Sequence, residues 1–127
     1  MALSPGHQRH PDHHVTETAL PGRMTVSLDG ELLADSRDVV RVDEDGHPPR
    51  YYFARDDVRV ERLKRSDTRT HCPFKGDASY YDLRTGQHGV ADAVWSYEDP
   101  YDEHLGLKGR LAFDERRAAG LVLRSLP

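Results

Sequence analysis

The sequence contains few of the residues and segments that would assign it quickly to a class. It has one cysteine and one tryptophan among 127 residues. Cys72 alone cannot form an internal disulfide or build a cysteine-rich zinc site. No stretch approaches the roughly 20 apolar residues of a membrane-spanning helix, and the first residues lack the apolar segment of a secretory signal. We therefore predict a cytoplasmic protein without membrane association or structural zinc.

Basic residues are not in excess. Lys and Arg total 18 against 22 Asp and Glu, which gives a net charge of −4 with neutral histidines. Proteins that bind the phosphate backbone usually carry a clear basic excess, so no nucleic-acid partner is expected. The sequence also lacks GxxxxGK[ST], GxGxxG, GxSxG, HExxH and CxxC motifs. We accordingly predict no cofactor and no metal site.

The length indicates one small domain. A chain of 14.4 kDa buries roughly two thirds of its unfolded surface, enough for a single core. Residues 1–22 hold four of the eight histidines and little apolar periodicity, and they predict a flexible arm in which His-rich sequence binds metals only adventitiously. Residues 23–123 form the predicted β domain and 124–127 a tail. The oligomeric state stays open, a homodimer being compatible with the sequence.

Short alternating apolar runs predict an all-β fold. Met24, Val26 and Leu28 lie on one face of a strand, and Asp29-Gly30 then predicts a tight hairpin turn. Residues 54–64 predict a helical turn followed by a strand, and 120–123 are expected to pair with 110–113. Many short strands and no long amphipathic helix indicate a mostly antiparallel two-sheet sandwich or open barrel with one or two helical turns.

The densest group of reactive side chains spans residues 70–81, THCPFKGDASYY. Cys72 is a nucleophile if a nearby cation favours its thiolate, and otherwise a small buried apolar group. Lys75, beside the flexible Gly76, is either an anion or carbonyl contact or a solvated turn lysine. His71 points to the opposite side of a regular strand from Cys72.

Aromatic residues suggest the wall of a pocket. Trp95 and Tyr97 are either core or pocket wall. The pairs Tyr51-Tyr52 and Tyr80-Tyr81 place one ring of each pair inward and the other outward on a strand. His47, before two prolines, is a loop histidine or a rim acid or base.

These segments resemble a known family. The order HPPRYYFARDDV, THCPFKGDASYYDL, AVWSYEDPY and GRLAF, after VSLDGELLADS, is similar to the bacterial and fungal domain of unknown function 427. The resemblance implies a beta-tent-like fold, and some catalogues label the family a nucleotidyltransferase. Zinc held by cysteine pairs in relatives of that fold is not implied, because Cys72 stands alone. Ala54 replaces a common proline. The matching motif residues are Tyr52, Asp57, Cys72, Pro73, Lys75, Gly76, Tyr80, Trp95, Tyr97 and Pro100.

We interpret the sequence as a domain that binds a small anionic or carbonyl-containing molecule in an aromatic pocket between the sheets, with or without cofactor-free conversion. A non-catalytic interaction module and a nucleotidyltransferase are the alternatives. The candidate catalytic residues are Lys75, Cys72 and Tyr80. The candidate ligand-binding residues are Tyr52, His71, Gly76, Trp95 and Tyr97.

Overall fold

The computed structural model describes residues 2–86 and 89–127. A short helix, α1, and 3₁₀ turns accompany the strands. The elements are α1 (Pro5–Arg9), β1 (Val15–Ala19), β2 (Arg23–Leu28), β3 (Glu31–Ser36), β4 (Val39–Glu44), β5 (Arg50–Phe53), 3₁₀ turns at Arg55–Asp57 and Val60–Arg62, β6 (Leu63–Cys72), β7 (Gly76–Arg84), β8 (Gly89–Ser96), a 3₁₀ segment at Asp102–Leu107, β9 (Leu111–Phe113), a 3₁₀ turn at Glu115–Arg117 and β10 (Leu121–Leu126).

The strands form two antiparallel sheets. The large sheet has seven strands in the order β1-β4-β5-β9-β8-β7-β6, and the small sheet has three in the order β10-β2-β3. The large sheet is open, with β1 and β6 at its edges. The predicted two-sheet all-β fold is therefore confirmed. No helix among the described residues is long and apolar enough to cross a bilayer.

The first hairpin forms where the sequence predicts it. Asp29 and Gly30 connect β2 to β3 with φ values of 49° and 87°. Positive φ at both turn residues matches the right-handed twist of the strands, and glycine adopts it without steric cost.

The last strand lies in a different sheet from the one expected. β10 pairs with β2 along Leu121↔Leu28 to Leu126↔Arg23, so the predicted pairing of residues 120–123 with 110–113 is wrong. The physical reason is that β9 already has β5 on one edge and β8 on the other. β10 also extends to Leu126, which places most of the predicted tail in the small sheet.

The first 22 residues contribute elements to the fold. β1 pairs with β4 from Val15↔Glu44 to Ala19↔Val40, and it forms one edge of the large sheet. Upstream, the Ser4 hydroxyl and the Gly6 N–H both donate to the carbonyl oxygen of Pro73, at 2.7 and 2.8 Å. Apolar periodicity did not indicate this docking because hydrogen bonds and contacts of His7 and His13 with the Phe74 ring carry it. Met1 lies outside the described residues, and the mobility of the arm stays a prediction.

The large sheet has two different faces. Its inner face, which includes Phe53, Tyr81 and Phe113, packs against the small sheet in one apolar cluster. Its outer face, which includes Tyr52 and Tyr80, belongs to a second cluster. Successive side chains of a strand point to opposite faces. Tyr52 and Phe53 are therefore divided between the two clusters, and so are Tyr80 and Tyr81.

The outer face is strongly curved. Lys75, between β6 and β7, reaches Glu44 at the end of β4 with a 2.5 Å distance from Nζ to Oε1. β5, β9 and β8 separate β4 from β7 in the sheet, and neighbouring strands lie about 4.8 Å apart. Two side chains could not span that distance across a flat sheet, so the curvature creates a concave surface.

Candidate functional site

A pocket of about 330 Å³ lies on this concave outer face. The sequence analysis predicted a pocket between the two sheets, and this location is wrong. That space is filled by fully buried side chains such as Phe53, Leu83 and Leu111. The outer pocket is lined by Val42, Glu44, His47, Pro48, Arg50, Tyr52, Lys75, Tyr80, Trp95, Tyr97, Asp114, Arg116 and Arg117.

The aromatic wall is fixed from behind. The Trp95 indole Nε1–H donates to the Tyr52 hydroxyl at 3.0 Å, and the two rings meet edge to face with centroids 6.0 Å apart. Burial raises the pKa of the Tyr52 and Tyr97 phenols well above the ordinary value. Both phenols therefore stay protonated at neutral pH and serve as structure or as hydrogen-bond donors, not as bases.

Lys75 lines the pocket, but its ammonium is not free. Its Nζ donates to Glu44 Oε1 at 2.5 Å and lies 5.8 Å from the centroid of the Tyr97 ring. The side chains of Lys75 and Glu44 are only 8% and 13% exposed. Burial raises the pKa of Glu44, yet hydrogen bonds from Lys75 and His13 outweigh it and leave the pKa below its usual value. The pair is thus ionised and internally neutralised.

Cys72 lies beside Lys75. Tyr80 lies on the pocket wall. The Cys72 Sγ is 3.8 Å from Lys75 Nζ, and this half-buried thiol packs against the outer-face cluster. The Tyr80 hydroxyl is 2.9 Å from Thr70 Oγ1 on β6. Tyr80 therefore presents its ring to the pocket while its polar end is anchored at the sheet edge.

Arg50 supplies the pocket's unpaired cation. Its guanidinium lies 5.9 Å from the centroid of Trp95, and no carboxylate of residues 2–86 or 89–127 forms an ion pair with it. Sequence reasoning did not single out Arg50. The available signal was its position at the start of a strand, directly after the Pro48-Pro49 turn.

The carboxylate of Asp114, which lines the same pocket as Arg50, is paired with two other arginines. Asp114, at the end of β9, accepts from Arg116 Nε at 2.9 Å, and its Oδ2 lies 3.6 Å from Arg117 Nε. Hydrogen bonding from Arg116 is the main cause of the lowered pKa of Asp114, with a smaller contribution from Arg50. This part of the pocket therefore has more positive than negative charge.

His71 and Gly76 do not join the other predicted site residues in this pocket. They border a separate depression with Pro100 and Tyr101, where His71 Nδ1 lies 2.7 Å from Asp77 Oδ1. Gly76 has a φ of 119°, and a Cβ there would come within 3.4 Å of the Asp99 carbonyl oxygen. The absence of a side chain at Gly76 lets the CPFKG and WSYEDP segments approach each other closely.

Two further motif residues, Pro100 and Asp57, contact other parts of the fold and do not line the pocket. Pro100 is buried, and its Cα lies against Gly76. Asp57 accepts a hydrogen bond from the Ser36 hydroxyl at 2.6 Å. This contact ties the turn after β5 to β3 and lies away from the pocket.

A comparison with protein families matches nearly the whole β fold. A family model described as "Domain of unknown function (DUF427)" matches residues 15–123, from β1 into β10. The chain belongs to the DUF427 family. No curated protein matches the chain. The segments that resembled DUF427 in sequence are those that build the pocket wall and the contact between Gly76 and Pro100.

The DUF427 model also carries the label NTP_transf_9, and nucleotidyl transfer ordinarily uses carboxylate-bound Mg²⁺. In the pocket, Glu44 is held by Lys75 and Asp114 by Arg116. Across the described part of the chain, no three His, Cys, Asp or Glu residues are grouped so that they could hold a metal ion. The donor set on this face does not fit such a magnesium centre.

Proposed function

We propose that the outer-face pocket binds a small organic anion with a flat apolar part. The observation that carries this proposal is Arg50, an unpaired guanidinium beside the Trp95 ring. Arginine presents donors in a planar fork that matches carboxylate and phosphate oxygens, and it stacks on aromatic rings. Such a ligand would place its anionic group on Arg50 and its flat part along Trp95.

The charge of the pocket supports an anion over a cation. Lys75 and Glu44 neutralise each other. Arg116 and Arg117 share the single carboxylate of Asp114. Counting Arg50, the Asp114 end has three cations and one anion, so a negatively charged group is attracted there and an ammonium is repelled.

The wall and the volume support a compact, flat ligand. Trp95 is held in place by Tyr52, and a ring that is already immobilised loses little conformational entropy when a ligand stacks on it. A cavity of about 330 Å³ lies at the lower end of the roughly 300–1,000 Å³ range of small-molecule sites. The proposal is therefore an aromatic or similarly planar carboxylate or phosphate monoester.

Conversion of the ligand would place different demands on the candidate catalytic residues. A Schiff base at Lys75 requires a neutral amine, whereas the Glu44 carboxylate stabilises the ammonium. Lys75 is better suited to electrostatic stabilisation. His47 lines the pocket, and its imidazole is the candidate group for proton transfer. The Tyr80 hydroxyl is held by Thr70 at the sheet edge, so Tyr80 would have to release that contact before it could act.

The single tryptophan makes the binding proposal directly testable. Trp95 emission would be titrated with benzoate, phenyl phosphate, benzamide and benzylamine. Saturable changes are expected with the two anions, and much weaker changes with the neutral amide and the ammonium compound. Equal responses to all four probes, or none to either anion, would count against an anion site.

Arg50→Gln tests the residue that carries the proposal. Loss of a charge-assisted hydrogen bond of about 1.5–3 kcal/mol should weaken anion binding by about 10- to 150-fold. Arg124→Gln is the matched control, since Arg124 is an exposed arginine on β10 in the small sheet. Comparable losses in both variants would indicate non-specific attraction to the surface.

The nucleotidyltransferase alternative rests on the label of the DUF427 model. Its signature is Mg²⁺-dependent release of pyrophosphate from a nucleoside triphosphate. The proposed anion site predicts no such release with any of the four common nucleoside triphosphates. A non-catalytic module predicts binding of the probes without turnover.

A further inference from the structure

A partly buried histidine pair joins the amino-terminal arm to the domain. His7 Nε2, in α1, lies 2.8 Å from His104 Nε2. His104 Nδ1 lies 2.6 Å from Glu17 Oε2, and the His104 side chain is only 4% exposed. An ionised carboxylate can only accept hydrogen bonds, so the contact with Glu17 favours the His104 tautomer whose Nδ1–H donates to it, and Nε2 is the atom that faces His7.

This contact accommodates one proton between the two facing nitrogens. Neutral His104 accepts at Nε2 from the His7 Nε2–H. If both imidazoles are protonated, two N–H groups and two positive charges face each other at 2.8 Å. At least one ring must then move away, because like charges at this distance in a partly buried site repel strongly.

We infer that α1 is a proton-operated latch, docked when the His7–His104 pair is not fully protonated and released in acid. Release bears on the Lys75 turn, because the Ser4 hydroxyl and the Gly6 N–H both donate to the Pro73 carbonyl oxygen. The Ser4 N–H donates instead to the Glu103 carboxylate. The inference does not depend on the proposed anion site.

The other charged groups around the pair set the direction and the extent of release. Burial is the largest cause of the lowered pKa of His7, and His104 lowers it further. Glu103 opposes them, and His13 and Glu44 have smaller effects of opposite sign. The docked arm therefore binds fewer protons than the released arm. By linkage, docking weakens as the pH falls below the ordinary histidine pKa of about 6.5.

Release is confined to the segment before the Pro11-Asp12 turn. His13 Nε2 lies 3.0 Å from Glu44 Oε2, and this contact gains attraction when His13 is protonated. β1, five residues paired with β4, follows directly. Acid should therefore free α1 and leave β1 in the sheet.

Hydrogen–deuterium exchange of the full chain tests the latch. After correction for intrinsic exchange rates, protection of residues 6–10 should fall by about tenfold per pH unit below pH 6.5, as expected for one proton. Protection of residues 15–19 should stay unchanged. Equal protection of 6–10 at pH 7.5 and 5.5, or parallel loss in both segments, would overturn the inference.

Two variants and one titration assign the effect. His7→Gln keeps an N–H donor but cannot be protonated, so its arm should stay protected at pH 5.5. His10→Gln is the matched control, since the ring of His10 has no hydrogen bond in the described structure, and it should behave as the wild type. NMR titration of the wild-type His7 ring gives an independent readout. Its midpoint should coincide with loss of α1 protection, and separate midpoints would contradict the latch even if His7→Gln fails to dock.

Discussion

The two faces of the large sheet use alternate residues of the same strands for different purposes. The inner face buries Phe53, Leu111 and Phe113 against the small sheet in a continuous apolar cluster. The outer face uses their neighbours Tyr52 and Ala112 as the floor beneath a charged pocket. Strand alternation thus lets one sheet provide both stability and a site, with substitutions on each face expected to have different consequences.

The largest effect is expected from a cavity on the inner face. Phe53 is fully buried and packs edge to face on Phe113. Phe53→Ala should lower the free energy of unfolding by about 3–5 kcal/mol in denaturant titrations. Val122→Ala, at a position 44% exposed, should change it by no more than about 0.5 kcal/mol. Similar values for the two variants would contradict the packing described here.

A smaller but still large effect is expected on the outer face at Lys75. Lys75→Met leaves the Glu44 carboxylate partly buried without its main partner, and should cost about 3 kcal/mol. Lys64→Met, at an exposed position on β6, is the control. The Lys75→Met, Glu44→Gln double variant should recover part of the loss. A cost below about 1 kcal/mol for Lys75→Met would instead support an exposed ammonium.

Tyr52→Phe tests the support behind the aromatic wall. It removes the acceptor of the Trp95 indole N–H, and should cost about 1 kcal/mol with a change in Trp95 emission. Tyr51→Phe, the neighbouring residue on the other face of the strand, should leave the emission unchanged. Identical spectra for Tyr52→Phe and wild type would show that the hydrogen bond does not position the indole.

The smallest expected effect concerns acid stability. The pKa of Glu44 in the folded chain is below its ordinary value of 4.5, so the unfolded chain binds more protons near that pH. Stability should therefore fall as the pH drops through 4.5 and below. The decline should be shallower in Glu44→Gln. Glu115→Gln, at an exposed carboxylate, should retain the wild-type slope, and an unchanged slope in Glu44→Gln would be inconsistent with this linkage.

Local sequence signals were sufficient for most strands of the β domain and for the aromatic residues, but not for β1, which lies in the segment predicted to be a flexible arm. Asp29-Gly30 specified a turn through its φ requirements. The sequence left Trp95 and Tyr97 as either core or pocket wall and made Tyr80 a candidate site residue, and all three line the outer-face pocket. These features depend on neighbours in sequence or on alternation within one strand. The family resemblance added the CPFKG and WSYEDP segments as a pair.

The charged half of the site could not be predicted because it depends on curvature of the sheet. Glu44 and Lys75 are 31 positions apart and meet only because the large sheet bends. Arg50 and Asp114 come from β5 and the end of β9, which become neighbours through pairing of β5 with β9. Strand order is likewise a property of the whole sheet. Residues 110–113 and 120–123 are close in sequence and suggested a hairpin, but β5 and β8 already occupy both edges of β9.

The most direct test of the outer-face site is an NMR titration of the single indole Nε1–H with phenyl phosphate. The account predicts a saturable shift of the Trp95 indole resonance together with the Arg50 Nε–H resonance. The indole shift should be lost in Arg50→Gln, and both shifts should be retained in Arg124→Gln. Shifts confined to amides of the small sheet, with the Trp95 and Arg50 resonances unmoved, would contradict it.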